Sequence, residues 1–196
     1  MIERIRTYLD QVGDLVLRIP PEEIERVTAI LIEAYEKGRR VFVFGNGGGS
    51  ATSAHFVCDL AKGTAGARCR RFKAMSLATN VPLLTAWAND TDYTNTFGEQ
   101  LRNFVEPGDV VIGLSGSGMS LNVINAFRLA NEAGAVTVLF SGFDGGEAAK
   151  VARESIVVPS NDMQQIEDVH LILAHIVFRC LRDHIAAGAG ASIAER

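Results

Sequence analysis

The sequence predicts an α/β protein in which five parallel strands form a doubly wound sheet, with extra helices ahead of the first strand. Apolar runs alternate with amphipathic segments along most of the chain, as expected for parallel strands joined by right-handed helical crossovers. The first run, Val41 to Phe44, is continuously apolar, which is typical of a strand buried on both faces. Glycine-rich and serine-rich segments directly follow two of these strands, at the edge where such sheets bind ligands.

Residues 1–37 are predicted to form two helices. The apolar residues of the first recur at steps of three and four and form one stripe, namely Ile2, Ile5, Leu9, Val12 and Leu15. Prolines interrupt this pattern, and the second helix begins at Pro21 and ends near Glu36. Two helices are more than one sheet needs, so they form an oligomer interface or cover one face of the sheet, and the sequence leaves both open.

Residues 38–187 are predicted to form the α/β core of a single domain that spans residues 1–196. After the first strand, the remaining strands are expected at Phe72–Leu77, Val110–Leu114, Val136–Ser141 and Ile156–Val158. The helices are expected after the glycine turn, over Pro82–Ala88, over Asn95–Val105, over 120–133 and over Met163–His184. The polar Asn89-Asp90 is expected to begin a loop. The last helix is apolar on nearly all sides and therefore buried, and residues 188–196 form a frayed tail.

The composition excludes some functions. A net charge of −4 and a pI near 5.6 argue against a nucleic-acid surface or an anionic membrane as the main partner. The N-terminus lacks the apolar core of a signal peptide, so we expect a cytoplasmic protein. The three cysteines form no zinc or redox motif and are expected to be buried, reduced thiols, with Cys58 in the core rather than a nucleophile.

The segment after the first strand predicts an anion site. Glycines 45, 47, 48 and 49 remove every Cβ near the turn, and the next helix points its positive N-terminus at the same place. A dinucleotide site would need a third glycine where Ser50 stands and an acid about 20 residues further on, and a P-loop would need a lysine. Both nucleotide interpretations are therefore minor.

A second anion site is predicted after the third strand. Ser115, Ser117 and Ser120 alternate with glycines and place three hydroxyls and several N–H groups around one helix N-terminus. Neutral donors, a helix dipole and no Cβ in the way are what a phosphate monoester requires. The simpler alternative is a flexible loop that leads to a serine-capped helix.

Histidines and carboxylates form a third group. His55 and Asp59 are four residues apart and share a helix face, while Glu167 and His175 are offset by roughly 80° on the last helix. His170 and His175 differ by about 140°, so only one of them faces a given site. Together such residues would suit a divalent metal such as zinc, or general acid–base chemistry, and each histidine alone would suit a hydrogen-bonded core position.

These motifs together resemble the sugar isomerase (SIS) domain family, and within it the phosphoheptose isomerase branch. The resemblance rests on Gly45-Asn-Gly-Gly, His55 within Ala-His-Phe, Thr85-Ala-Trp-Ala-Asn-Asp, Ser115-Gly-Ser-Gly-Met-Ser and Ile166-Glu-Asp-Val-His-Leu-Ile-Leu-Ala-His175. It implies a flavodoxin-like SIS fold and a homotetramer, without nucleic-acid or membrane partners. It also implies aldose–ketose isomerisation of sedoheptulose 7-phosphate, or a related sugar phosphate, to D-glycero-D-manno-heptose 7-phosphate in carbohydrate metabolism, often with zinc.

The resemblance also implies roles for individual residues. It assigns the phosphate to Ser115, Ser117 and Ser120, and the rest of the substrate to Asn46, Gly47, Gly48, Asn89 and Asp90. The family's metal ligands fall on His55, Asp59, Glu167 and His175, and Asp59 with His175 would be the catalytic acid–base pair.

The chain departs from the family pattern near these positions. Asp59 stands where the family has Glu, Glu167 where it has Gln, and Gly49 where it has Ser. The shorter Asp59 withdraws its carboxylate by about one methylene, and Glu167 adds a negative charge. Such departures would also suit the alternative function, a non-catalytic sugar-phosphate-binding SIS protein that acts through protein–protein contacts, like the members that associate with a replication initiator.

Overall fold

The structure is a computed structural model that describes residues 1–66 and 69–194, with side chains described as far as residue 188. Its sheet has five parallel strands: β1 Arg40–Gly45, β2 Lys73–Ser76, β3 Val110–Ser115, β4 Val136–Ser141 and β5 Glu154–Val157. The strand order is β2-β1-β3-β4-β5, with every neighbouring pair parallel. The predicted doubly wound, flavodoxin-like sheet is thereby confirmed, and its switch point lies between β1 and β3.

Helices cover both faces of this sheet. Their bounds are α1 Ile2–Arg18, α2 Pro21–Glu36, α3 Gly48–Cys58, α4 Val81–Asp90, α5 Thr96–Arg102, α6 Leu121–Glu132, α7 Gly146–Val151 and α8 Met163–Ala194. Alternate strand residues enter two apolar clusters because successive side chains point to opposite faces. Val41 and Val43 pack with α2, α3 and α8, whereas Phe42 and Phe44 pack with α5 and α6.

The two N-terminal helices differ in what they bury. Helix α2 buries Val27, Leu31 and Ala34 against the sheet and α8, so it covers one face, as one of the two alternatives expected. Helix α1 buries Leu15 but leaves most of its apolar stripe exposed, including Ile5 and Leu9. Exposed apolar side chains in a continuous stripe are typical of a surface that another molecule covers.

The structure corrects several local predictions. Helix α8 continues to Ala194, where a frayed tail was expected, and the alanines after Ile185 favour the helix while Gly188 and Gly190 disfavour it. Asn89 and Asp90 are the last residues of α4 rather than part of a loop. Cys58 and Cys180 are exposed and Cys69 is half-buried, so the prediction of buried thiols is wrong. None of the described helices combines the length and apolarity needed to cross a membrane.

Candidate functional site

The glycine turn and the serine loop meet at the switch point of the sheet, because β1 and β3 are neighbours and both end there. The turn requires glycine for steric reasons. Gly47 has φ 54° and ψ −121°, a conformation that side chains disfavour, and a Cβ on Gly45 would lie 2.6 Å from the carbonyl oxygen of Leu114. The two loops therefore pack backbone against backbone, and α3 and α6 both begin beside them.

A cavity of about 260 Å³ opens between the two loops. The residues that line it come from the glycine turn, the serine loop and the first two turns of α8: Asn46, Gly47, Gly49, Leu114, Ser115, Gly116, Ser117, Ser120, Met163, Glu167 and His170. Ser120 is the N-cap residue of α6, yet its side chain makes no capping hydrogen bond. Its hydroxyl instead accepts from Ser115 at 3.3 Å, so the capped-helix alternative does not account for this serine.

Hydrogen bonds from the end of β4 hold the serine loop in place, and His170 of α8 bonds in turn to that end of β4. The Ser141 hydroxyl donates to the Ser115 carbonyl at 2.7 Å, and Gly142 N–H donates to the Gly116 carbonyl at 2.8 Å. His170 Nε2 lies 3.1 Å from the Ser141 carbonyl, which can only accept, so the ring carries its proton on Nε2. Burial lowers the pKa of His170 from 6.5 to about 4, which keeps the ring neutral at pH 7.

Asn46 enters the cavity with its amide group fixed by neighbours. It exchanges two hydrogen bonds with Asn122, at 3.0 and 2.9 Å, and its Oδ1 also accepts from the Tyr93 hydroxyl at 2.8 Å. Asn122 is buried, with 2% of its surface exposed. Neither Asn122 nor Tyr93 was among the residues that the sequence singled out.

Glu167 lies against the start of α3. A Cβ on Gly48 would fall 2.1 Å from Oε2 of Glu167 and 2.5 Å from Oε1, so the carboxylate occupies the space that the glycine leaves open. This location places a negative charge in the cavity beside the three serines. The negative charge is attracted by the positive end of the α3 dipole, and it would repel an anion bound to the same loops.

His55, Asp59 and His175 form a separate cluster farther along α3 and α8. The two Nε2 atoms are 3.1 Å apart, and Asp59 Oδ2 lies 3.7 Å from that of His55 and 3.6 Å from that of His175. Asp59 begins a π-helical turn, Asp59–Gly63, which directly continues α3. Such turns recur at functional sites because they change the direction in which a side chain points.

The cavity and the cluster share one pair of parallel helices. Gly48 contacts Glu167, and His55 contacts His175, so α3 and α8 run side by side in the same direction. Seven residues on α3 and eight on α8 separate the two levels, a distance of about 10–12 Å along the axes.

The predicted site residues therefore fall into three groups. Asn46, Gly47 and the three serines line the cavity, with Gly48 beneath the Glu167 carboxylate. Among the described residues, the group that could hold a metal is His55, Asp59 and His175, without Glu167. Asn89 and Asp90 lie on the exposed last turn of α4, hydrogen-bonded to each other at 2.9 Å, and do not line the cavity.

A doubly wound parallel sheet with a cavity lined by glycines and serines at its switch point is the arrangement of α/β proteins that bind small ligands at the carboxyl ends of their strands. The family model described as SIS domain matches residues 7–142. The chain belongs to the SIS domain family, in its phosphoheptose isomerase branch.

Named relatives support this assignment over nearly the whole chain. A phosphoheptose isomerase from Aquifex aeolicus is 31% identical over 94% of this chain and 98% of its own. One from Geobacter sp. (strain M21) is 36% identical over 90% of this chain and 93% of its own. The structure of phosphoheptose isomerase GmhA from Neisseria gonorrhoeae superposes with a TM-score of 0.86, at 26% identity over 92% of this chain and 98% of that one.

These relatives identify the chain as an enzyme, a phosphosugar isomerase. They do not favour the non-catalytic alternative that the departures at Asp59 and Glu167 suggested.

Proposed function

We propose that this protein isomerises sedoheptulose 7-phosphate to D-glycero-D-manno-heptose 7-phosphate. The observation that carries the proposal is the placement of an anion cavity and a His/Asp/His cluster on the same pair of parallel helices. A sugar phosphate bound with its phosphate at the serine loop would extend along α3 and α8 toward the cluster. The names of the isomerase relatives support the choice of substrate.

In the proposed complex, the serine loop holds the phosphate. The hydroxyls of Ser115, Ser117 and Ser120 and the N–H groups at the start of α6 are neutral donors, and the helix dipole adds a positive potential. Donors of this kind bind a phosphate without a lysine or arginine among the lining residues. Asn46 and Gly47 would contact the part of the sugar next to the phosphate.

The acid–base step is assigned to Asp59 and His175. Aldose–ketose isomerisation moves a proton between C1 and C2 through an enediol, which requires one group to remove a proton and one to protonate the neighbouring oxygen. Asp59 Oδ2 and His175 Nε2 lie 3.6 Å apart. His175 Nε2 has one lone pair, so it can take a proton only while it holds no metal, whereas Asp59 has a second carboxylate oxygen for proton transfer in either case. The Asp59 side chain is 21% exposed and the His175 side chain is 45% exposed, which leaves room for a ligand.

Zinc is the metal we propose for the cluster, and the donor atoms fit it. Tetrahedral zinc with bonds of about 2.0–2.1 Å separates neighbouring ligand atoms by about 3.3 Å, close to the 3.1–3.7 Å found among His55, Asp59 and His175. Asp59 Oδ2 is also buried without a hydrogen-bond partner among the described residues. Zinc held by these three residues would supply Lewis-acid polarisation of the substrate carbonyl.

A homotetramer is proposed from the family resemblance, and the exposed surface of α1 offers an interface for it. Ile2, Ile5, Leu9 and Leu17 are at least half exposed, and burial of such a stripe between copies would stabilise an assembly by about 25 cal/mol per Å² of apolar surface. Sedimentation equilibrium should therefore give four times the chain mass, and Leu9→Glu should lower the measured mass toward that of smaller species.

A cytoplasmic location follows from the proposed substrate, since a charged sugar phosphate does not cross an apolar bilayer unaided.

The deciding experiment pairs metal analysis with turnover of sedoheptulose 7-phosphate. The purified protein should contain zinc, and product formation should fall on chelation and return when zinc is restored. Isomerisation that survives complete chelation would remove zinc from the proposal and leave Asp59 and His175 as the acid–base pair. A metal-loaded protein that converts no C5 to C7 sugar phosphate would overturn the proposed reaction.

A further inference from the structure

Two hydrogen bonds join the serine loop to the end of β4, and both end on carbonyl groups of the loop. The Ser141 hydroxyl donates to the Ser115 carbonyl at 2.7 Å, and the Gly142 N–H donates to the Gly116 carbonyl at 2.8 Å. We infer that these bonds point the N–H groups of the loop toward a bound phosphate, with Ser141 and His170 as positioning residues. The inference rests on the proposed function, since it concerns the phosphate site described there.

The direction of the loop N–H groups follows from the direction of its carbonyl groups. A trans peptide unit points its C=O and its N–H to opposite sides. Because the Ser115 and Gly116 carbonyls face β4, the N–H groups of the next residues, Gly116 and Ser117, face away from it. Strand β3 lies between β1 and β4, so the side away from β4 is the side of the glycine turn. The cavity opens on that side, and Gly116 and Ser117 both line it.

These two N–H groups are available to a ligand. Neither the Gly116 N–H nor the Ser117 N–H has a hydrogen-bond partner among the described residues. Successive free N–H groups that point to one side form an anion-binding concavity. The loop therefore offers a phosphate two backbone donors in addition to its serine hydroxyls.

The orientation of the peptide units decides the sign of the local potential. A carbonyl oxygen turned into the cavity would repel a phosphate, whereas an N–H group in the same place attracts it. Among the described residues, those that line the cavity include no lysine or arginine that could outweigh a misplaced carbonyl. The two bonds to β4 hold the carbonyls away before the anion arrives, which lowers the cost of ordering the loop on binding.

His170 acts one step farther from the ligand, through the backbone of Ser141. The Ser141 carbonyl accepts from His170 Nε2 at 3.1 Å and from the Val158 N–H at 2.9 Å, so both of its lone pairs are used. These bonds fix the Ser141 backbone on the side of β5 and α8, while its hydroxyl reaches β3. Ser141 has no exposed surface and His170 is 1% exposed, so water cannot replace either bond.

Ser141→Ala tests the hydroxyl anchor without adding volume to the core. We expect this variant to bind inorganic phosphate about fivefold more weakly by calorimetry, the size of effect expected for one neutral hydrogen bond. KM for sedoheptulose 7-phosphate should rise by a similar factor while kcat stays within about twofold, because binding is lost equally in the ground state and the transition state.

Thr137→Val is the matched control on the same strand. Thr137 lies near the other end of β4, and its buried hydroxyl donates to Asn131 Oδ1 at 2.9 Å. Its removal should lower the melting temperature at least as much as Ser141→Ala does, because both variants lose a buried hydroxyl group. The affinity of Thr137→Val for inorganic phosphate should nevertheless equal that of wild type.

Two substitutions of His170 separate its hydrogen bond from its packing. Glutamine keeps an N–H donor near the position of the imidazole Nε2, whereas leucine fills the space without a donor. We expect His170→Leu to weaken binding of inorganic phosphate about threefold and His170→Gln to stay within about 1.5-fold of wild type. Both variants are measured at pH 7.5 by the same calorimetry.

The outcomes separate this inference from the proposed function. The role of Ser141 is wrong if Ser141→Ala binds inorganic phosphate as wild type does, or if Thr137→Val weakens binding equally. Equal losses in the two His170 variants would overturn the role of His170. If the wild-type protein binds inorganic phosphate but isomerises no sugar phosphate, the proposed reaction fails, while weaker binding by Ser141→Ala would still support the anchor. A wild-type protein that binds no inorganic phosphate would overturn the inference.

Discussion

The cavity and the His/Asp/His cluster lie on the same two helices but are built on opposite principles. The cavity is closed by groups that already satisfy each other, such as Asn46 with Asn122 and neutral His170 with the Ser141 carbonyl. In the cluster, two imidazole nitrogens face each other at 3.1 Å beside a carboxylate oxygen without a hydrogen-bond partner among the described residues. The side chains around the first region are held by hydrogen bonds to one another, whereas the second leaves Asp59 Oδ2 without a partner among the described residues, an atom that a bound ion or substrate would satisfy.

The largest expected effect comes from the cluster. His175→Ala should lower kcat by about 10²–10⁴, the usual contribution of a positioned acid or base, and leave the affinity for sedoheptulose 7-phosphate within about threefold. Steady-state kinetics and calorimetry measure the two quantities. His184→Ala is the control, because that histidine lies on the same helix and pairs with Glu36. If His175→Ala lowered the affinity for sedoheptulose 7-phosphate as much as it lowered kcat, the cavity and the cluster would not have separate roles in binding and reaction.

The stability of the cavity wall should depend on pH through His170. Its folded-state pKa of about 4 lies below the ordinary 6.5, so protons bind the unfolded chain more readily between these values. The stabilisation is complete above about pH 6.5 and should fall by about 3 kcal/mol as pH drops to 4. Urea unfolding of wild type and His170→Gln across this range provides the measurement. If both proteins showed the same pH dependence, His170 would not be the cause.

The third effect concerns phosphate affinity alone. Ser120→Ala should raise the dissociation constant of inorganic phosphate about tenfold, because a hydrogen bond to a charged group is lost. The melting temperature should hold, since the Ser120 side chain makes no capping hydrogen bond. Ser155→Ala, on the edge strand β5, is the matched control. A drop in melting temperature without a change in phosphate binding would restore the capped-helix interpretation of the loop.

The smallest effect decides to which region Glu167 belongs. Glu167→Gln removes a negative charge from the cavity, so the affinity for inorganic phosphate should rise about fivefold while zinc content stays unchanged. Calorimetry and metal analysis of the same preparation measure both. Glu147→Gln, on the exposed start of α7, is the control. The glutamine that the family carries at this position could itself hold a metal, so Glu167→Ala tests ligation. A fall in zinc content in Glu167→Ala would place Glu167 among the metal ligands, as the family resemblance implied.

The sheet and both loops could be predicted because their signals are local. Continuous apolar runs identify buried strands, and glycine and serine patterns identify the turns that follow them. The strand bounds shifted by one or two residues, as for β5, which begins at Glu154 rather than Ile156. Nothing local marks the π-helical turn at Asp59, since it depends on how α3 packs at its end.

The parts of the site that the sequence missed depend on contacts between distant segments. Tyr93 and Asn122 meet Asn46 across 47 and 76 residues, and an asparagine at the start of a helix carries no signal for such a contact. The spacing along α8 gave the angle between Glu167 and His175 around the helix axis. It did not show which residues of α3 each of them contacts. The packing of α8 on α3 placed Glu167 over Gly48 and His175 beside His55.

The parallel course of α3 and α8 fixes the distance between the cavity and the His/Asp/His cluster. In the proposed complex, one end of the ligand would lie at the level of Gly48 and its reacting end at the level of His55, about 10–12 Å away along the helix axes. Molecules with the same phosphate but a shorter carbon chain would fill the cavity without bringing a carbonyl to Asp59 and His175. The helices would thus select substrates by length, and one residue inserted into α3 between Ser50 and Ser53 would shift the cluster by about 1.5 Å and turn it by about 100°.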